Sequence, residues 1–417
     1  MLAHWIWLST RAGVGVRGMQ ALLRQFPDVE SLYFAEEGEY ALLEELSGRD
    51  LTSLCDKSLD RANRILEACY NQEIHLLTLQ DAAYPLRLKN IFNPPVLLYY
   101  KGQLPEFDAE PVIAVVGTRK ASAYGCVSAK RMGYQLGRCG ALVVSGLAGG
   151  IDSMAMIGAL TADRPVVGVL GCGVDVVYPK SNTSLFRDVE ERGCLLSEFM
   201  PGTPPEGRNF PQRNRIISGL ACGVVVVEAP AKSGALITAQ LALDQGRDVF
   251  AVPGNIDVTS NAGSNGLLRQ GAIAVQHGWD VMEEYEKLYP GKIRAWNSPG
   301  KVTAYPEEIA AQTGELFRPA AKNSPAPSSF DEKSIDKDET NPYIEREKTM
   351  PQFSADEEAI LSALAAEPRH VDHIIAETGL PAGRVLASLT LLEVRGYVKR
   401  QPGQYYAAGG RKPPLPV

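Results

Sequence analysis

The sequence contains no run of about eighteen uncharged apolar residues, the length that spans a bilayer as a helix. Met1 to Ser9 lack the basic start, apolar stretch and small-residue cleavage site of an export signal, so the chain is expected to stay in the cytoplasm, away from membranes. Its seven cysteines are odd in number, widely spaced and without a C-x-x-C pair, which favours reduced, packed thiols over disulfides or zinc. Five histidines (His4, His75, His277, His370, His373) are too scattered for a metal cluster, and no metal is expected. A nucleoside-triphosphate loop of the form G-x-x-x-x-G-K-[ST] is missing, because Ala231 precedes Lys232-Ser233, and 171–176 fails the third position of the dinucleotide fingerprint. No Ser/His/Asp set or paired carboxylates can be assembled around His277, the only histidine of the middle region. Neither a catalytic residue nor a cofactor is expected, and binding is better supported than catalysis.

What is present is a chain of 417 residues with 45% hydrophobic and 22% charged residues, the composition of a soluble globular protein. At roughly 100 to 200 residues per domain the length predicts two to four domains. The net charge of -7 is unevenly distributed. Residues 1–110 carry 10 basic and 16 acidic side chains, 111–290 carry 16 of each, 291–352 carry 9 and 10, and 353–417 carry 7 of each. The acidity therefore belongs to the front, and a local basic site can exist on the neutral middle, since screening limits distant carboxylates to a reach of about 10 Å.

Residues 1–100 alternate helical patterns, such as 19–26 and 60–70, with polar breaks, and end in the short extended run 96–100. This predicts a small helical domain. Gly13-Val14-Gly15 before an amphipathic helix reads either as an ordinary turn or as the hairpin of a helix-hairpin-helix module. Residues 101–291 change character. Apolar runs at 112–116, 141–144, 166–170, 194–196, 223–227 and 249–252 alternate with helix-sized segments, the mark of strands buried on both faces of a parallel sheet. The expected fold class is α/β, an extended Rossmann-like doubly wound sheet whose ligand lies beyond the carboxyl ends of its strands. Residues 292–352 lose periodicity and read as a flexible linker, and 353–410 predict three helices and a hairpin, a small winged-helix domain.

The residues after each apolar run carry the functional information. Gly117-Thr118-Arg119, the turn 145–152 beginning Ser145-Gly146, and Gly171-Cys172-Gly173 with Tyr178-Pro179-Lys180 combine permissive backbone with polar donors. Such turns either offer N–H groups to phosphate or merely allow close helix packing. The longest loop, 198–211, is stiffened by prolines and leads to Arg208, Phe210, Arg213, Asn214 and Arg215; Lys232 starts a further helix. An aromatic ring beside guanidinium groups suits an unpaired strand, because bases stack on the ring while cations neutralise phosphates. Phe210 could equally be a core plug, and Arg215 a partner for Glu228.

Read together, these loops resemble the bacterial DNA-processing protein DprA (Smf) family. The resemblance is carried by Val-Val-Gly-Thr-Arg-Lys at 115–120 with Tyr124-Gly125, by Ser-Gly-Leu-Ala-Gly-Gly-Ile-Asp at 145–152, by 169–175 with Tyr178-Pro179 and Asn182, by 195–199 with Pro201-Gly202, by Phe210-Pro211 with 213–220, and by 246–254. It covers most of residues 80–280. It implies a dimerising protein that binds and shields single-stranded DNA and loads the recombinase RecA onto incoming DNA during natural transformation. Its DNA pocket maps onto Arg119, Ser145, Gly146, Phe210 and Asn214; Gly117, Thr118, Lys180, Arg208, Arg213 and Lys232 complete the expected interface by loop position and charge. The sequence departs from the family at Ala155-Met156, where members often carry Ala-His, and at Ala235, where serine is common. The rival reading is a nucleoside-monophosphate phosphoribohydrolase, whose Pro-Gly-Gly-x-Gly-Thr loop has its comparable place at 228–234 here, without that glycine pattern.

Overall fold

The computed structural model describes residues 1–11, 13–295, 353–364, 368–394, 397–401 and 405–408. They divide into two units, one within 1–323 and the other within 324–417.

In the first unit the Val/Ile/Leu runs form strands because each is long enough to cross the sheet and apolar enough to be covered on both faces. The strands are β1 (His75–Thr78), β2 (Leu97–Gly102), β3 (Val112–Val116), β4 (Leu142–Ser145), β5 (Val166–Val169), β6 (Cys194–Ser197), β7 (Gly223–Val226), β8 (Asp248–Ala251) and β9 (Ile273–Ala274). They build one sheet in the order β1-β2-β6-β5-β4-β3-β7-β8-β9. From β6 to β9 the pairing is parallel, and every residue of β3 to β7 is buried. The chain enters at β3, steps outward through β4, β5 and β6, then returns to β7 on the other side of β3. That reversal is the doubly wound arrangement expected, and it puts the switch point between β3 and β7.

The boundary expected at residue 100 falls inside β2. The run that closes the helical front is itself a strand, antiparallel to both β1 and β6, so it extends the sheet. The front helices, including Leu2–Ser9, Val16–Gln25 and Asp60–Asn71, share one continuous apolar core with the sheet, from Trp5, Trp7 and Tyr40 to Val112, Val143 and Val224. The linker expected from 292 begins later than that. Lys292 pairs with Glu110 at 2.9 Å, Ile293 is buried, and the Arg294 amide donates to the Cys139 carbonyl at 3.0 Å. The rest of the expected linker, from 296 to 352, lies outside the described residues. Among the described residues no helix is long and apolar enough to cross a membrane.

The second unit has helices Ala355–Ala363, Val371–Thr378 and Ala382–Val394 beside a three-stranded antiparallel sheet of β10 (Arg369–His370), β11 (Val398–Gln401) and β12 (Tyr405–Ala408), ordered β10-β12-β11. Ile360, Ile374, Val385, Leu389 and Tyr406 meet in its core. This is the winged-helix architecture expected, although the Pro402-Gly403 turn of the hairpin lies outside the described residues, as does Arg395. Arg384, the only cation of 382–394, is held in a fork by Asp356 with both bonds at 2.8 Å.

One guanidinium ties the amino ends of the sheet together. Arg87, 15% exposed, donates to the carbonyls of Leu220 at 3.1 Å, Phe107 at 2.5 Å and Glu110 at 3.1 Å, and contacts the Cys222 sulfur at 3.1 Å. Replacing Arg87 with Ala strands these carbonyls beneath the surface and is expected to lower the unfolding free energy by about 3 kcal/mol. Chemical denaturation measures it, and a loss below about 1 kcal/mol would mean that water takes over the guanidinium's role.

Candidate nucleic-acid interface

The switch point is held shut by a buried carboxylate. Glu228, just beyond β7, accepts hydrogen bonds from the Ser122 amide at 3.1 Å and hydroxyl at 2.8 Å, while its carbonyl accepts the Thr118 N–H at 2.8 Å. Ser122 also caps the helix Ala123–Arg138 by accepting the Gly125 amide at 3.0 Å, and a Cβ on Gly125 would collide with the Glu228 carboxylate. The turn after β3 is thereby pinned at both ends, with Gly117 and Thr118 half-buried and Arg119 and Lys120 exposed at its tip. Arg215 is not the partner of Glu228; it pairs with Glu198 at 2.7 Å.

The turn after β4 is braced from inside. The Ser145 hydroxyl donates to the Val115 carbonyl at 2.6 Å, Leu147 takes a left-handed φ of 54°, and Asn182 donates to the Leu147 carbonyl at 3.0 Å and the Ser153 hydroxyl at 2.8 Å. The buried carboxylate of Asp152 accepts the Gly146 N–H at 3.1 Å and a backbone bond from Ala148. The sequence reading offered this turn's amides to phosphate; in the structure two of them are already taken by the protein's own carboxylate.

Helix Asn209–Leu220 delivers the aromatic group. Phe210, Arg213 and Asn214 stand at i, i+3 and i+4, so they share one side of the helix. Arg213 is 3% exposed and donates to the carbonyls of Gly146, at 2.8 Å, and Val169. The Phe210 ring, half-buried, packs against Gly171 and has Tyr178 at 5.6 Å between centroids. The guanidinium carbon of Arg119 lies 4.6 Å from the Phe210 centroid and that of Arg213 lies 5.8 Å from it. Burial pushes the Asp152 carboxyl up to about 6, outweighing the Arg213 charge and the backbone bonds that favour its ionised form. Burial likewise lowers Arg213 to about 10, opposed by the Asp152 charge.

The structure therefore brings Arg119, Phe210, Arg213 and Gly146 into one cluster. The Asn214 amide reaches the Gly234 carbonyl at 3.4 Å, which joins the cluster to the turn carrying exposed Lys232. Lys180, also exposed, opens the turn that follows Tyr178-Pro179. Three expected residues sit differently. The Ser145 hydroxyl is engaged within the sheet. Arg213 lies under the surface because strand-end carbonyls draw it in. Arg208, paired with Glu206 at 2.6 Å, lines a groove that also includes Val14, Gly15, Gln212 and Arg215. The sequence places Tyr178 and Asp152 in functional turns but gives neither a role at the interface. That of Tyr178 could have been found from the Tyr-Pro pair at a strand-end loop, whereas Asp152 looks like any acid at a helix start.

Two family models match the chain: DNA recombination-mediator protein A over residues 75–286, and the DprA winged helix domain over residues 345–404. Protein Smf of Synechocystis is 32% identical over 97% of this chain and 98% of its own length. The DNA processing protein DprA of Bacillus subtilis is 41% identical over 53% of this chain and 74% of its own length. The solved structure of DNA processing protein A from Streptococcus pneumoniae superposes with a TM-score of 0.61 at 33% identity, covering 68% of this chain and 98% of that one. With a sheet, a winged-helix unit and a relative aligned nearly end to end all in agreement, the chain belongs to the DNA recombination-mediator protein A (DprA/Smf) family.

Proposed function

We propose that this chain binds single-stranded DNA across the carboxyl edge of its central sheet, with little dependence on base sequence, and acts in recombination as a DNA-processing protein. The observation that carries the reading is the Arg119 guanidinium 4.6 Å from the Phe210 ring at the switch point. A strand needs a ring for its bases and cations for its phosphates within one nucleotide's reach, and this pair supplies both. Lys180 and Lys232, exposed on neighbouring turns, extend the cationic rim. The finer steps belong to the same proposal: shielding of incoming DNA, delivery to the RecA recombinase during natural transformation, and assembly as a homodimer. Of two leucines that the sequence offers for the dimer contact, Leu267 is buried and Leu268 partly buried against the same core. We propose no catalytic role, and Glu228, at the start of the segment comparable to the hydrolase loop, has its carboxylate engaged by Ser122.

Replacing Arg119 with Ala is expected to weaken binding of an unstructured oligonucleotide and to reduce the log–log salt slope by about 0.7 to 1. Replacing Phe210 with Ala is expected to cost about 1–3 kcal/mol of binding with that slope unchanged. Fluorescence anisotropy at several salt concentrations reads both, and undiminished affinity in Arg119→Ala would remove the interface. For delivery, RecA filaments are expected to grow faster on a strand pre-coated with a single-strand binder when this protein is added. No acceleration by wild-type protein that binds the strand would limit the function to binding.

The buried acid makes a separate pH prediction. Asp152 holds its proton more tightly in the folded protein than in the unfolded chain, so its contribution to stability is fully present below its ordinary value near 4 and is lost as pH rises through about 6. Asp152→Asn removes that slope. Between pH 4 and 7 the unfolding free energy of Asp152→Asn is expected to gain on the wild type by up to about 3 kcal/mol, the equivalent of roughly two pKa units. Parallel curves from denaturant titrations across that range would contradict it.

A further inference from the structure

We propose that Asp152 is a built-in anion: its carboxylate occupies the place of a phosphate in the turn after β4, and so makes the protein select a polynucleotide laid along the rim over a free phosphate drawn into the turn. The parts of an anion site are assembled around it. The amide of Gly146 points at the Asp152 Oδ2 at 3.1 Å and the Ala148 backbone bonds the same carboxylate. Arg213, buried, comes to the same glycine from the other side and donates to its carbonyl at 2.8 Å. A Cβ built on Gly146 would lie 2.6 and 2.7 Å from the two terminal guanidinium nitrogens of Arg213 and 2.7 Å from the Asp152 Oδ2. Acid, base and backbone thus fill the space at Gly146, where not even a methyl group fits beside them.

The chemistry follows from charge. A phosphate entering the turn would meet a carboxylate already bonded to the donors it needs, in a medium where like charges repel strongly. The cations left for a ligand are those at the rim, and a single mononucleotide phosphate gains little from dispersed surface cations that water and salt screen. A polymer engages several of them at once through successive phosphates. The polymer half of this inference rests on the proposed single-strand reading; the exclusion of small phosphate from the turn stands on the geometry of Asp152, Gly146 and Arg213 alone.

Removing the carboxylate tests it. In Asp152→Ala the two amides and Arg213 lose their anion, and inorganic phosphate at millimolar concentration is expected to raise the thermal midpoint by roughly 2–4 °C above sodium chloride of equal ionic strength. Formate, a carboxylate small enough for the vacated space, is expected to do the same. The wild type and the near-isosteric Asp152→Asn are expected to show no such difference between salts. If Asp152→Ala does not fold in chloride, recovery of folded protein on refolding in phosphate is the readout, with the same expectation. Equal behaviour of Asp152→Ala in phosphate and chloride overturns the proposal, and so does rescue by formate without rescue by phosphate. Oligonucleotide binding by the wild type is measured alongside. Its failure would sink the single-strand reading while leaving the phosphate result to stand or fall by itself.

Discussion

Gly146 has no side chain, and the carboxyl edge of the sheet is organised around the space this leaves. Arg213 and Asp152 approach it from either side, close enough that a single methyl group would strike both. Because Arg213 is fixed there, its helix is fixed too, and with it Phe210 one turn earlier and Asn214 one residue later. Because Asp152 is fixed there, the helix Ile151–Thr161 begins where it does, with its first residue bonded to the Thr118 carbonyl of the neighbouring turn. The cationic and aromatic groups at the rim are therefore carried by a base that is rigid and satisfied within itself. With Arg213 bonded to strand-end carbonyls and Asp152 to a backbone amide, the two buried charges work as a fixture of geometry.

The parts of this arrangement that could be read from the sequence are those whose physics is local or repetitive. Strands β3 to β8 were visible because burial on both faces forces an almost unbroken apolar run, a pattern with few other causes. Strand β1, half exposed, and β9, two exposed residues at the sheet edge, carry no such pattern. The run ending at Tyr100 was visible as extended, but its pairing with β6 joins segments nearly a hundred residues apart, and no local signal encodes that. At the site, the convergence of the turns followed from one topological rule. The depth of Arg213 did not follow, since its spacing from Phe210 gives the side of a helix and says nothing about the carbonyls beneath it. Asp152 was invisible for the same reason: its meaning lies in a glycine six residues away and an arginine on another helix.

Charge compensation distinguishes the surfaces of the two units. At the rim of the sheet, Arg119, Lys180 and Lys232 are exposed. In the winged-helix unit, Arg384 is instead held by Asp356.

The arginine at the tip of the β3 turn has a second effect on behaviour in solution. Its guanidinium lies over a benzene ring that would otherwise be a bare oily spot among charges. This cover discourages the ring from adhering to other molecules. One contact between two side chains therefore keeps the molecule unadhesive at this edge.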